Sequence, residues 1–302
     1  MSTADRPEVP YGAWPSPITA ARLVEGAASV GEIRADGADV WWSEQRPSEG
    51  GRYQLVRRTA AGSRHELFGP WDPDAAGGAW NARTAVLEYG GGAWGVRHGV
   101  VVFANWSDQR LYRVDPGGSP VPISPVPSVA RGWRWSEPVW LDDRWLVCVR
   151  ESHEPDATAE RGEAANEVVA IPVDGSAIAD PSLVRTLVSG PDFVHNPAVA
   201  GERLAWVQWD HPRMPWDGTE VVVARVGRDA DGGPVSLHDR TVVAGGPEES
   251  VIQPGFTAAG DLIFCTDRTG WWNPWRVGRS TLDALLDRGA AAGSAEPAVA
   301  TE

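Results

Sequence analysis

Two adjacent carboxylates, Glu248 and Glu249, lie in a predicted loop between two strand-like segments. Like charges side by side can bind a peptide amine or a guanidinium through charge-assisted hydrogen bonds. A solvated acidic turn would have the same sequence. Both interpretations remain open for this pair.

A second cluster occupies residues 210–218, where Asp210 and His211 precede a proline and Trp216 and Asp217 follow another. The two prolines restrict the backbone, so the loop would hold its carboxylates beside the indole. Such a loop could dock a partner domain or a substrate, because aromatic anchors dominate binding surfaces. A well-packed structural loop is an equal alternative.

A third cluster consists of Glu88, Tyr89 and the three glycines at 90–92. Glycine allows close approach of a ligand or a positive φ, and a crossover between repeats would need the same freedom. Arg83 lies upstream and could form an ion pair with Glu88, for which a structural role is favoured.

The sequence contains none of the common motifs for nucleophilic, metal or phosphate chemistry, such as G-x-S-x-G, H-E-x-x-H, a P-loop or a CxxC pair. The histidines are spread over different repeats, at positions 65, 98, 153, 195, 211 and 238. We therefore predict no catalytic residue, no metal site and no cofactor in this chain. Cys148 and Cys265 lie in apolar runs and are predicted to be reduced and buried.

The amino-acid composition limits which kinds of partner are expected. Of 302 residues 42% are hydrophobic and 23% charged, so the chain should fold, and the formal net charge is −14. A negative surface would repel nucleic acid and anionic membranes, so neither is expected as a partner. Residues 1–10 lack the apolar core of a signal peptide, and we expect a cytoplasmic protein. The sequence does not define an oligomeric state.

Five repeats position these clusters, each with the pattern strand, tight turn, strand. Taking Gly31, Ala93, Pro138, Pro197 and Pro254 as equivalent starts gives a period typical of four-stranded propeller blades. The 17 tryptophans also favour strands over helix interiors. We predict an all-β fold, a β-propeller of four-stranded antiparallel blades with about five blades in an incomplete ring.

Third strands are predicted at 54–58, 110–114, 167–171, 220–225 and 273–277, and the clearest fourth strands at 65–68 and 185–188. The resulting division is an N-terminal segment at 1–28, blades at 29–277, and a tail at 278–302. In the tail a short helix is predicted at 281–288 and a flexible Ala/Gly-rich end at 290–302.

Antiparallel order forces alternate turns onto opposite faces of a propeller. The turns between the first and second strands of each blade are short and are predicted to be plain hairpins. They lie at 35–38, 97–99, 142–144, 200–203 and 258–261. The acidic and aromatic clusters fall on the other face. We therefore predict a substrate or domain-docking face there, formed by Arg83, Glu88, Tyr89, Asp210, His211, Trp216, Asp217, Glu248 and Glu249.

These motifs resemble the N-terminal propeller of prolyl-oligopeptidase (S9) serine peptidases, in the bacterial branch related to acylaminoacyl-peptidases and dipeptidyl aminopeptidases. The motifs are Tyr-Gly-Ala-Trp-Pro-Ser-Pro-Ile-Thr at 11–19, Asn-Ala-Arg-Thr at 81–84, Glu-Tyr-Gly-Gly-Gly at 88–92, Trp-Asp-His-Pro at 209–212, Pro-Trp-Asp-Gly-Thr-Glu at 215–220, Gly-Gly-Pro-Glu-Glu-Ser at 245–250 and Asp-Arg-Thr-Gly-Trp-Trp-Asn at 267–273. The sequence departs from the family at Leu87, where histidine is expected, and again after Val277.

The resemblance implies that a full-length relative continues into an α/β-hydrolase domain that carries the Ser, Asp and His of the catalytic triad. Two hypotheses follow. The chain is the non-catalytic, substrate-gating and domain-docking fragment of a peptidase that cleaves peptides in a dipeptidyl- or acylaminoacyl-peptidase-like manner. Alternatively, it is a free-standing propeller that binds a protein or peptide partner.

Overall fold

The computed structural model of the chain describes residues 10–13, 15–74 and 79–291. In this part of the chain the strands form five consecutive antiparallel sheets, four with four strands and one with three. Each sheet is one blade, and together they form a five-bladed β-propeller. The fold predicted from the repeats is confirmed.

The strands follow the chain blade by blade. Blade 1 contains β1 (Ser29–Asp36), β2 (Asp39–Arg46), β3 (Arg52–Arg58) and β4 (Arg64–Glu66). Blade 2 contains β5 (Trp94–Arg97), β6 (Val100–Ala104), β7 (Leu111–Val114) and β8 (Val121–Pro122). Blade 3 contains β9 (Trp133–Trp140), β10 (Trp145–Ser152), β11 (Ala165–Pro172) and β12 (Arg185–Val188). Blade 4 contains β13 (Phe193–Ala200), β14 (Arg203–Trp209), β15 (Glu220–Arg228) and β16 (Pro234–Gly245). Blade 5 contains β17 (Val251–Phe256), β18 (Leu262–Thr266) and β19 (Asn273–Val277).

Helices lie outside the blades or in their loops. They are α1 (Ala20–Val24), α2 (Pro155–Arg161) and α3 (Arg279–Ala291), with short 3-10 turns at Pro47–Glu49, Ser176–Ile178 and Pro181–Leu183. Within the described ranges no helix is both long and apolar enough to cross a bilayer. The sequence predictions for residues 1–9, Trp14 and 292–302 lie outside the described residues.

The core lies between the blades, because the sheets of blades 2, 3 and 4 each have a neighbouring sheet on both faces. β10 illustrates the consequence, since its residues are almost all buried and its first five form a continuous apolar run. Val147 of β10 packs in one cluster with Trp206 of β14 and Val222 of β15, which joins blade 3 to blade 4. Among the described residues, no strand of blade 5 packs extensively against blade 1, in agreement with an open ring.

The first strands of successive blades are linked by a ladder formed by Glu32, Gly92, Glu137, Asn196 and Gln253. All five residues have positive φ values, from 43° to 61°, and all except Gly92 lie at a bulge in the strand. The backbone N–H of Gly92 donates to Oε1 of Glu32 at 2.9 Å, and that of Asn196 donates to Oε2 of Glu137 at 2.6 Å. We call these five residues the inner-strand ladder.

Blade 5 ends differently from the others. Helix α3 packs against β15 and β16 of blade 4, where Leu282 and Leu286 are fully buried beside Val243. It therefore covers the part of blade 4 that a fourth strand of blade 5 would cover. The helix predicted at 281–288 is present and longer than expected. The sequence pattern does not predict the fourth strands β8 and β16, because β8 has two residues and β16 begins in a polar segment.

The turns predicted to be plain hairpins do join adjacent antiparallel strands, and two of them also contact the next blade. Asp36 accepts hydrogen bonds from the backbone of His98 and Gly99 in blade 2, at 2.8 and 2.6 Å. Asp142 of blade 3 forms an ion pair with Arg228 of blade 4 at 2.7 Å. These contacts place the turns between first and second strands on the same face of the propeller as the β15–β16 turn, as antiparallel strand order requires.

Both cysteines are free thiols, as predicted. Cys148 is completely buried, and this burial raises the pKa of its thiol to about 12. Cys265 is only partly buried, so the prediction of two buried thiols is wrong for this residue. The reason is that β18 lies in the last blade, which has no following blade to cover it in the described structure.

Candidate functional site

A cleft of about 690 Å³ opens on the face that carries the long loops. Its lining comes from the loop before β5, the loop that contains α2 and the loop between β14 and β15, together with residues of β10, β11, β13, β14 and β17. The cleft is lined by Leu87, Glu88, Tyr89, Glu151, His153, Glu163, Ala164, Asn166, Phe193, His195, Asn196, Val207, Trp209, His211, Met214, Pro215, Trp216, Thr219 and Ile252.

One wall of the cleft is aromatic. Phe193 stacks on Trp209 with ring centroids 5.0 Å apart and 15° between planes, and the His211 ring meets Phe193 edge-on at 4.9 Å. Trp216 and Tyr89 lie at the rim with side chains 64% and 91% exposed. Exposed rings beside a packed aromatic pair give an apolar surface for a ligand side chain.

The floor of the cleft is charged and centred on Glu151, which is almost completely buried. Its Oε2 accepts the backbone N–H of Leu87 at 2.6 Å, and its Oε1 lies 3.1 Å from Arg134 and 2.5 Å from Nε2 of His153. Arg134 also binds Glu88 at 2.5 Å. This contact holds the pKa of Glu88 below its usual value, so Glu88 presents an ionised carboxylate.

The inner-strand ladder supplies a second charged pair at the cleft. Glu137 is buried, and its Oε1 lies 3.1 Å from Nδ1 of His195. Burial alone would raise the pKa of Glu137, but the His195 charge and the hydrogen bonds from Asn196 lower it below its usual value. Burial opposes the charged form of His195, and the Glu137 carboxylate nevertheless raises its pKa.

The loop at 210–218 is held in place by its own carboxylates. Asp210 accepts the backbone N–H of Asp192 at 2.8 Å, and Asp217 accepts that of Met214 at 2.9 Å. The His211 ring lies 3.2 Å from Glu163 across the cleft mouth. The loop is therefore fixed before any ligand binds.

The sequence-predicted site residues separate into two groups. Glu88, Tyr89, His211 and Trp216 meet in the cleft. Arg83, Asp210, Asp217, Glu248 and Glu249 do not line it. Glu249 instead accepts hydrogen bonds from Thr266 and Arg268 within blade 5, and Glu248 is exposed. The suggested Arg83–Glu88 ion pair does not form, because Glu88 binds Arg134.

Sequence reasoning missed the charged floor and the buried pair, Glu151, His153, Glu137 and His195. A signal was present for the ladder, since a polar residue precedes proline in three repeats, at 137–138, 196–197 and 253–254. Residues before proline normally avoid helical backbone geometry, so a repeated polar residue there marks a special conformation. Glu151 also has a weak signal, as a carboxylate inside a buried strand.

The cleft can bind a ligand, but the described residues give it no evident hydrolytic machinery. Ser236 bonds to Nε2 of His238 at 2.9 Å, yet both lie on the outer strand β16 and neither lines the cleft. Within the described ranges no group of three or more His, Cys, Asp or Glu side chains could hold a metal ion.

No family model and no curated protein matches the chain. Solved structures match it closely. Puromycin hydrolase is 39% identical, with a TM-score of 0.75, and the match covers 90% of this chain and 41% of that one. A puromycin-hydrolysing peptidase of Mycobacterium tuberculosis is 39% identical, with a TM-score of 0.73, over 90% of this chain and 40% of that one. A mutant of puromycin hydrolase complexed with PGG is 40% identical, with a TM-score of 0.76, over 90% of this chain and 41% of that one.

The chain thus spans about two fifths of the length of these relatives, and the match covers nine tenths of its own length. The similarity in sequence and structure agrees with the motifs at 88–92 and 209–220. The chain is a β-propeller of the prolyl-oligopeptidase (S9) serine peptidase family.

Proposed function

We propose that this propeller is the substrate-gating and domain-docking part of an S9-type serine peptidase that cleaves peptides. An α/β-hydrolase domain would supply the catalytic Ser, Asp and His, and this chain would take no direct part in the chemistry. The observation that carries the proposal is the cleft, because it gathers the aromatic and charged loop residues on one face of the propeller.

The size of the cleft favours a short peptide. Its volume of about 690 Å³ lies within the range of small-ligand sites, roughly 300 to 1,000 Å³. A folded protein could not enter it. The fixed loop at 210–218 would keep the opening narrow, so the propeller would select substrates by size.

The lining also fits a peptide. The Phe193–Trp209 wall and the exposed Trp216 offer apolar contacts for a side chain. The ionised Glu88 and the imidazoles of His153 and His211 can bond to backbone amides or a terminal amine. This combination supports a dipeptidyl- or acylaminoacyl-peptidase-like activity, and the names of the puromycin-hydrolysing relatives are compatible with small aminoacyl amides as substrates.

A chimera tests the proposal. This chain would replace the matched segment of puromycin hydrolase, and hydrolysis of short peptidyl p-nitroanilides would be measured. We expect activity in the chimera and none in the isolated chain. Trp216→Ala should lower kcat/KM about tenfold, since aromatic anchors in binding sites commonly contribute at least about 1.4 kcal/mol.

Trp271→Ala is the matched control, because Trp271 is also strongly exposed but does not line the cleft. Equal kinetics of the Trp216→Ala and parent chimeras would contradict the gating role. A chimera that folds but shows no hydrolysis would instead favour a free-standing propeller with a separate partner.

A further inference from the structure

Two arginines enclose a tryptophan beside the cleft. The guanidinium carbon of Arg83 lies 4.2 Å from the Trp106 ring centroid, and that of Arg131 lies 4.6 Å from it. Arg83 also lies 5.9 Å from the Tyr53 ring. We call Arg83, Trp106 and Arg131 the Arg–Trp–Arg sandwich. The ring faces fix the two cations without using their hydrogen-bond donors.

The donors of both arginines are available to a ligand. Among the described residues, neither guanidinium forms a hydrogen bond or an ion pair, whereas most arginines over other tryptophans also bind a carboxylate, and Arg240 over Trp206 bonds to the Gln208 amide. The paired examples are Arg57 with Asp39, Arg150 with Glu167, Arg185 with Asp229 and Arg268 with Glu249. A planar guanidinium has five N–H donors that match a carboxylate in a bidentate arrangement.

The surrounding charge favours one added anion. Burial and the nearby charges of Arg134 and Arg83 lower the pKa of Arg131, which shows that another positive charge is disfavoured there. Arg134 is already bound to Glu88 and Glu151, and Asp108 accepts the hydroxyl of Tyr112 at 2.5 Å. Glu88 and Asp108 thus already have partners, while Arg83 and Arg131 have no carboxylate partner among the described residues, in a chain whose formal charge is −14.

The position of the sandwich connects it to the cleft. Arg83 and Glu88 lie in the same loop before β5, Trp106 lies between β6 and β7, and Arg131 lies just before β9. All three loops are on the face that carries the cleft. Arg134, three residues after Arg131, binds the cleft residue Glu88. A ligand that extends out of the cleft past Glu88 would therefore run toward the Arg–Trp–Arg sandwich.

We propose that Arg83 and Arg131, held by Trp106, form a subsite for the free carboxylate of a short peptide bound in the cleft. The subsite rests on the proposed function for its role in selecting substrates. Its existence is a property of this chain and can be measured without any catalytic domain. Charge-assisted bonds to two guanidinium groups would favour a peptide acid over the corresponding amide.

The test is a binding measurement on the isolated chain. N-acetyl-Ala-Ala-Phe and its C-terminal amide would be titrated by calorimetry at low ionic strength. We expect the acid to bind about tenfold or more tightly than the amide, since hydrogen bonds to charged groups are stronger than those between neutral groups. Arg83→Gln and Arg131→Gln should bring the two affinities to within about twofold of each other.

Arg58→Gln is the matched control, because Arg58 is exposed at the end of β3, away from the cleft, and the change in charge is the same. Arg83→Lys and Arg131→Lys keep the charge but lose the planar fork, so they should retain only part of the preference. Circular dichroism would identify any variant that fails to fold. As a second measurement, the acid should shift the Nε–Hε resonances of both arginines in the unmodified protein.

Equal affinity for acid and amide would overturn the proposal, as would the same loss of preference in Arg58→Gln. Failure of the gating proposal gives a different result. In that case Trp216→Ala would leave chimera kinetics unchanged, while the preference of the isolated chain for the acid would persist.

Discussion

Glu137 and His195 show how individual residues join neighbouring blades. Their ion pair, buried at Glu137 and partly buried at His195, connects the first strand of blade 3 to that of blade 4, and Asn196 bonds to the same carboxylate. Removing one partner of a buried pair leaves an uncompensated charge, which costs about 3 to 5 kcal/mol. A Cβ atom at Gly92 would clash with Cγ of Glu137, so glycine is required at that rung of the inner-strand ladder.

The pair predicts a pH-dependent stability. The lowered pKa of Glu137 contributes stability above its usual value of 4.5 that is lost as pH falls through the folded pKa. The raised pKa of His195 contributes stability that is complete below its usual value of 6.5 and is lost as pH rises through the folded pKa. Urea unfolding should therefore show the largest deficit of His195→Gln between these two values, with a smaller deficit at higher pH.

His65→Gln provides the comparison, because His65 is an exposed histidine in β4. Its difference from the unmodified protein should vary little over the same pH range. A deficit of His195→Gln that stays constant from acid to alkaline pH would show that the ring contributes packing alone.

The cysteines predict a difference in reactivity. Cys148 has a pKa raised to about 12 and is completely buried, whereas Cys265 is partly exposed. Because the thiolate is the nucleophile, iodoacetamide should modify Cys265 first in the native protein. Mass spectrometry should detect one rapidly formed adduct in the native protein. In denatured, unreduced protein it should detect two. Failure of denatured protein to take up two would indicate a disulfide.

Among the secondary-structure elements, α3 acts as the outer cover of blade 4. Leu282 and Leu286 are fully buried against blades 4 and 5, and Asp283 and Asp287 of the same helix form ion pairs with Arg203 and Arg225. The helix thus has one apolar side against the sheet and polar residues that bind the blade edge. It performs the packing role of a missing strand without its hydrogen bonds.

Shortening a leucine side chain in the contact between α3 and the blades should destabilise the propeller. Leu286→Ala is expected to reduce the free energy of unfolding by about 2 to 5 kcal/mol, the usual range for a buried leucine. Leu23→Ala, in the exposed face of α1, should change it by less than about 0.5 kcal/mol. Chemical denaturation of both variants measures the difference. Equal effects would mean that α3 is not part of the cooperative core.

Across the molecule as a whole, stability should be unequal among the blades. The second and third strands of blades 3 and 4 are largely buried, whereas β1 has no buried residue and exposes half of its residues, including Val30 and Ile33. Local opening is easiest where few apolar contacts hold the backbone. The open ring therefore has a stable middle and a weaker first blade.

Hydrogen exchange followed by mass spectrometry tests this gradient. Peptides from β10, β11, β14 and β15 should exchange most slowly, and peptides from β1 and β4 fastest, after correction for intrinsic rates. Equal protection in β1 and β14 would contradict an open ring, because it would require β1 to be covered by another blade.

The amino-acid sequence alone is enough to predict the repeat, the strand pattern of each blade and the face on which the long loops lie. These features follow from local rules, since the antiparallel order of strands forces alternate turns to opposite sides whatever the packing. Glu88, Tyr89, His211 and Trp216 are therefore assigned to one face by the order of the strands.

Which of those residues meet depends on the packing of the blades in three dimensions. Glu151, Arg134 and Glu88 come from two blades, and their contacts depend on how one sheet is rotated against the next. The same holds for Arg83 and Arg131 around Trp106. Strand patterns specify neighbours within a sheet, but contacts between sheets depend on side-chain packing, which a periodicity along the chain does not encode.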